Sequence, residues 1–174
     1  MALHPLCRLI FVATLALAAC ACSAELAPVP YPAARIHEAT ASGRGYLFRL
    51  ESPGAPTKRM RMRFDAVDDS GAALVRTEWA EADPEPAPTA ATRVTWQELE
   101  AHAHYPRDRT TITSESVQTP AGIFPCKLYT VNAGDGTTTR AWFAVDLPGA
   151  PVRMEISKGN KLVLRMLLLQ HLPG

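Results

Sequence analysis

The sequence predicts a mainly β, α+β fold: a curved, mostly antiparallel sheet or half-barrel of about eight strands with one short helix. Three observations carry that expectation. Apolar and polar residues alternate with a period of two through most of the chain after Gly45, turn residues interrupt the alternation at short intervals, and a helix-capping signature stands near the middle. A length of 174 residues suffices for one domain with a core of its own.

The elements follow in order. Tyr46, Phe48 and Leu50 alternate with Leu47, Arg49 and Glu51. After Ser52-Pro53-Gly54-Ala55-Pro56 the pattern is cleaner. Met60, Met62, Phe64 and Ala66 share one face while Arg59, Arg61, Arg63 and Asp65 share the other, which is a strand with one wet side. Asp69-Ser70-Gly71 turns the chain into a third strand through Ala73, Val75, Thr77 and Trp79. Residues 81–91 hold Pro84, Pro86 and Pro88 and read as a loop. Thr95-Trp96-Gln97-Glu98 is a capping box and opens a helix from Trp96 to about His104, ended before Pro106. Strands over 110–119 and 123–132 flank Pro120-Ala121-Gly122 as a hairpin, and further strands span 137–145, 152–157 and 161–170. The last is apolar on both sides, which places it centrally, under the helix.

The run Thr119-Pro120-Ala121-Gly122-Ile123-Phe124-Pro125-Cys126, then Trp142, then Leu147-Pro148-Gly149-Ala150-Pro151-Val152 resembles small exported proteins of the LolA/LppX-like half-barrel type. The resemblance covers roughly residues 109–170 and implies an open sheet with a helical element across its concave face. Some relatives carry lipids or lipoprotein acyl chains there. The family implies no catalytic residue, and turn chemistry with core packing accounts for each residue quoted.

Before the domain comes an address. Residues 1–19 read as a signal peptide: Arg8 supplies positive charge, and an apolar run from Leu9 to Ala19 has no polar face and is too short to span a bilayer. Leu17-Ala18-Ala19-Cys20 resembles the lipobox of bacterial lipoproteins, with Cys20 the residue that would take diacylglycerol and the N-terminal palmitate. By that resemblance Ala21, where aspartate would favour inner-membrane retention, points to the outer membrane, with the domain facing the periplasm. Ordinary secretion is the alternative, since Ala19-Cys20-Ala21 and Cys22-Ser23-Ala24 both fit a small-x-small cleavage rule. Residues 20–34, with Pro28, Pro30 and Pro32, read as an extended membrane tether, and 35–174 as one extracytoplasmic β-rich domain. A dozen such residues would reach about 35–40 Å.

Function is bounded mainly by exclusion. Loss of Arg8 with the leader leaves 17 basic against 17 acidic residues, so no global field draws nucleic acid. Tyr46, Phe48, Met60, Met62 and Phe64 are the candidate lining of an apolar cleft, because thioethers and rings adapt to irregular ligands. The same residues could instead fill a core. Lys58, Arg59, Arg61 and Arg63 with Arg49 form a basic row that reads as the solvated face of a strand, or else meets anionic headgroups. His102 and His104 stand two apart and diverge on a helix, and Glu98 with His102 makes only two ligands, so no metal or other cofactor is expected. No nucleophile elbow, phosphate loop or calcium loop is present, and the expectation is a protein that binds rather than catalyses. It would bind an apolar ligand, lipid or lipoprotein, or alternatively act as an accessory lipoprotein by contact with an envelope protein.

Overall fold

Among the described residues, period-two alternation resolves into nine strands of a single antiparallel sheet. The computed structural model describes residues 25–88 and 90–174; Cys20 and the signal peptide lie outside them. The strands are β1 (Gly45–Glu51), β2 (Lys58–Asp68), β3 (Gly71–Ala80), β4 (Thr92–Thr95), β5 (Thr110–Thr119), β6 (Gly122–Asn132), β7 (Thr137–Ala144), β8 (Arg153–Lys158) and β9 (Lys161–Leu172). Their order across the sheet is β4-β3-β2-β1-β9-β8-β7-β6-β5. β9 is the middle strand, as its apolar character predicts, but only its inner side is deeply buried: Met166 and Leu168 are, whereas Val163 is 48% exposed. The short strand β4, not anticipated from the sequence, raises the count from about eight.

Two helices, rather than one, cover the concave face: α1 (Ala33–Glu38) and α2 (Trp96–Ala101). α2 begins where the capping box places it. Thr95 Oγ1 accepts from the Glu98 N–H at 3.1 Å, and Glu98 Oε2 accepts from the Thr95 N–H at 2.7 Å. Donation to Oε2 from the Thr95 N–H, and then from the Thr95 hydroxyl at 2.9 Å, holds the Glu98 carboxyl below its ordinary pKa.

Topology requires the helical layer. β4 and β5 are the two opposite edges, so the chain must cross the full width of the sheet between them. Eight inter-strand steps of about 4.8 Å make roughly 38 Å along the sheet. The connection has one short helix, α2, and a 3-10 turn at Arg107–Arg109, and it spans no more than about 35 Å at ~1.5 Å per helical and ~3.3 Å per extended residue. It therefore runs as a chord across a curved sheet and roofs the concave side.

The expected free tether is the main departure. From Glu25 onward this segment packs on the domain. Ala27 and Tyr31 are each 5% exposed. The Ala27 N–H donates to Tyr105 O at 2.8 Å, the Arg107 N–H to Glu25 O at 2.8 Å, and Leu26 bridges Pro106. Tyr129 Oη donates to Pro28 O at 2.9 Å, and Tyr31 Oη donates to Ala144 O. The three prolines stiffen a strap whose apolar residues, Ala27 and Tyr31, bury themselves. The strap ends in α1, joined to α2 by the Ala33 N–H donating to Glu100 Oε2 at 2.6 Å and by His37 stacked on Trp96 at 4.8 Å.

The convex face carries the charges. Arg49 pairs with Glu51, Arg59 with Glu81, Arg61 with Glu85 and Arg63 with Asp65. The four arginines of the basic row are thus neutralised in place, partly by carboxylates of the proline-rich loop, whereas Lys58 falls at the other parity of β2 and makes no ion pair among the described residues. Trp142 is 1% exposed on the same side, with the guanidinium groups of Arg140 and Arg153 at 4.8 and 4.7 Å from its ring.

Candidate functional site

The inward side chains of the sheet follow from register. Tyr46 stands opposite Met62, Phe48 opposite Met60 and Leu168, and Phe64 opposite Leu74. All five residues proposed from the sequence therefore share the concave face. They divide into two sets. Met62 and Phe64 line a cleft of about 390 Å³ between the sheet and the helical roof. Tyr46, Phe48 and Met60, at 1%, 0% and 4% exposure, lie outside that lining and form the packed core beside it. Tyr46 is held back by its own polar end: Oη donates to Pro148 O at 3.1 Å. Gly149 follows with φ +132°, and a Cβ there would come within 2.5 Å of that hydroxyl. Burial pushes the Tyr46 phenol up to about 12, so it stays neutral.

The rest of the wall was not singled out in the sequence. Leu74 of β3, Phe143 of β7, Met154 of β8 and Met166 of β9 come from the sheet; Ile36 of α1 and Leu99 and Ala103 of the crossing segment come from the roof. Leu99 and Ala103 are four residues apart within the helix expected from Trp96 to about His104, and this spacing was the available signal; in the structure α2 ends at Ala101 and Ala103 lies in the turn that follows. Three methionines (Met62, Met154, Met166) give the wall an adjustable surface. Polar groups are few: Arg76, Glu100 and His102 are among the lining residues. Arg76 pairs with Glu78, and Glu100 is engaged with the Ala33 N–H. A mostly apolar cleft of this size lies in the range of small-molecule sites, about 300–1,000 Å³.

A second recess of about 220 Å³ adjoins the first, lined by Pro30, Tyr31, Arg35, Lys127, Phe143 and Val145. Pro30, Tyr31 and Phe143 belong to both. The Tyr31 ring meets Phe143 edge-on at 6.0 Å, and burial pushes its phenol pKa far up. Tyr31 is thus a neutral, fixed divider between the two spaces.

His102 Nδ1 lies 2.6 Å from Glu98 O and His104 Nε2 lies 3.3 Å from Glu100 Oε1, so each is engaged within its own turn. Among the described residues no three His, Cys, Asp or Glu side chains group as metal ligands. Cys126 is a buried free thiol whose pKa is raised to about 11 by burial and then by the nearby Glu115 charge.

No protein-family model matches this chain, and no curated protein does. Eleven chains among solved structures match it in fold. One of them, a crystal structure of MucB, is 13% identical at a TM-score of 0.50, with 81% of this chain and 57% of that one aligned. The chain thus spans little more than half the length of MucB, and at this identity the likeness is one of fold.

Proposed function

We propose that this chain is a lipid-anchored protein of the cell envelope whose domain holds an apolar ligand, lipid or acyl chain between its curved sheet and its helical roof, without catalysing a reaction on it. The observation that carries the reading is the 390 Å³ cleft walled by Met62, Phe64, Leu74, Met154 and Met166. A domain that serves only as a scaffold gains nothing from an unfilled apolar interior, because the lining forgoes packing contacts. The apolar leader over residues 9–19 supports export, and the Leu17-Ala18-Ala19-Cys20 sequence supports anchoring.

The test uses the purified full chain carrying Cys20→Ser, which removes a competing acyl chain, titrated with the apolar dye N-phenyl-1-naphthylamine. Fluorescence enhancement with saturation is expected. Ala150→Trp projects bulk into the cleft from a loop, and Leu74→Phe does so from the sheet; each should weaken the dye at least tenfold, about 1.4 kcal/mol. Undiminished binding in both variants, with their circular dichroism unchanged, would place the ligand elsewhere. The accessory-lipoprotein reading would then stand in its place.

A further inference from the structure

We infer that the recess beside the cleft is an anion site, and that the ligand class is a single-chain amphiphile whose carboxylate or phosphate head meets Arg35 and Lys127 while its chain lies in the cleft. The inference rests on the reading of the cleft as an apolar site and adds the chemistry of the ligand's other end.

Charge placement carries the argument. Register puts Ser114, Lys127 and Phe143 side by side on the concave face. The neighbouring inward positions of β5, β6 and β7 are Ile112, Ser116, Gln118, Ile123, Pro125, Tyr129, Thr139 and Ala141, so Lys127 is the one charge on that face of these three strands. Arg35 approaches from the roof. On α1 it is next to Ile36, about 100° away around the helix, so one short helix lends an alkyl group to the cleft and a guanidinium to the recess.

Arginine is mostly spent elsewhere in this protein, as the convex-face pairs show. Among the described residues, neither the Arg35 guanidinium nor the Lys127 ammonium makes an ion pair or hydrogen bond, and no carboxylate lines the recess. Two uncompensated cations facing one concavity favour an anion. The two spaces share Pro30, Tyr31 and Phe143 and so adjoin across the Tyr31 ring; the inferred ligand passes the edge of that ring, with its head on one side and its chain on the other. A soluble anion would need no apolar neighbour, and a neutral lipid no cations; an anionic amphiphile uses both.

The experiment compares three twelve-carbon probes below their micellar concentrations at pH 8 and low salt: dodecanoate, dodecanol and dodecyltrimethylammonium, with inorganic phosphate as a fourth arm, all on the full chain carrying Cys20→Ser. Dodecanoate should bind at least tenfold more tightly than dodecanol, and added salt should erode that margin. Arg35→Gln with Lys127→Gln should bring dodecanoate to parity while leaving dodecanol unchanged, and Arg35→Lys should keep part of the preference. Equal binding of dodecanoate and dodecanol by the unsubstituted recess would overturn the anion site and leave the cleft standing. Preference for the cationic probe would overturn it as well. Competition by phosphate alone at similar affinity would make the recess a site for a soluble anion and sink the two-part ligand. Failure of all three chains to bind would instead strike at the cleft itself.

Discussion

Arg44 is 3% exposed, yet its hydrogen bonds go to neutral groups. Its Nη1 donates to Ala39 O at 2.7 Å and Thr40 Oγ1 at 3.3 Å, its Nη2 to Pro148 O at 2.8 Å, and its Nε to His171 Nε2 at 3.2 Å. One guanidinium thus ties the end of α1, the loop that restrains Tyr46 and the end of β9. Arg44→Met should cost about 2–4 kcal/mol in denaturant unfolding, since it leaves buried carbonyls unpaired as well as deleting charge-assisted bonds. The pair also sets a pH response. His171 can accept from Arg44 only when neutral; burial, and then the Arg44 charge, holds its pKa below the ordinary 6.5. A group depressed on folding stabilises above its unfolded pKa and loses that contribution as pH falls through the folded one. Stability should therefore begin to drop below about pH 6.5, well before the carboxyls of Asp68, Glu98 and Asp135, which are themselves held low, take up protons. His171→Gln should flatten the melting temperature between pH 7.5 and 5.5; a profile in the unsubstituted protein that is level down to pH 4.5 would refute the coupling.

At the level of elements, the strap and α1 separate composition from structure. Three prolines among small residues read as a chain too poor to pack, but Ala27, Tyr31 and Ile36 supply enough apolar surface to hold residues 25–38 across the roof. Tyr31→Ala should cost about 3–5 kcal/mol, the ordinary range for truncating a buried ring, whereas a free tether would lose less than about 1. The strands were legible because one wet face leaves a period-two record: Met60, Met62 and Phe64 face inward as read. β4 left no such record in four residues, Thr92–Thr95, after a proline-rich loop. The cleft was half legible for a related reason. Alternation tells that Tyr46, Phe48, Met60, Met62 and Phe64 point inward, but not which of them the roof covers closely. That depends on the chord taken by the β4–β5 crossing, a property of topology rather than of any one strand. Lys127 and Arg35 were invisible as a pair, 92 positions apart, until register and the strap brought both to one recess.

At the scale of the whole molecule, packing from Glu25 onward changes how the domain would stand on a membrane. If Cys20 carries the lipid, only five residue steps separate it from the first packed residue, a reach of at most about 17 Å. The domain would then sit close to the headgroups rather than 35–40 Å away, with the half-exposed Leu26 at its anchored end. Such closeness suits a cleft that exchanges chains with the bilayer, since a ligand would travel a short distance between them. Cys20→Ser should move the protein from the membrane pellet to the soluble fraction and abolish an acyl mass on the N-terminal peptide. Ten Gly-Ser residues inserted between Ala24 and Glu25 should leave it in the pellet, because the anchor is untouched, while slowing transfer of dodecanoate from vesicles. Persistence of the Cys20→Ser protein in the pellet, with no acyl mass on either form, would show that another contact holds the domain at the membrane. Equal transfer rates with and without the insertion would show that the short reach from Cys20 does not set the exchange.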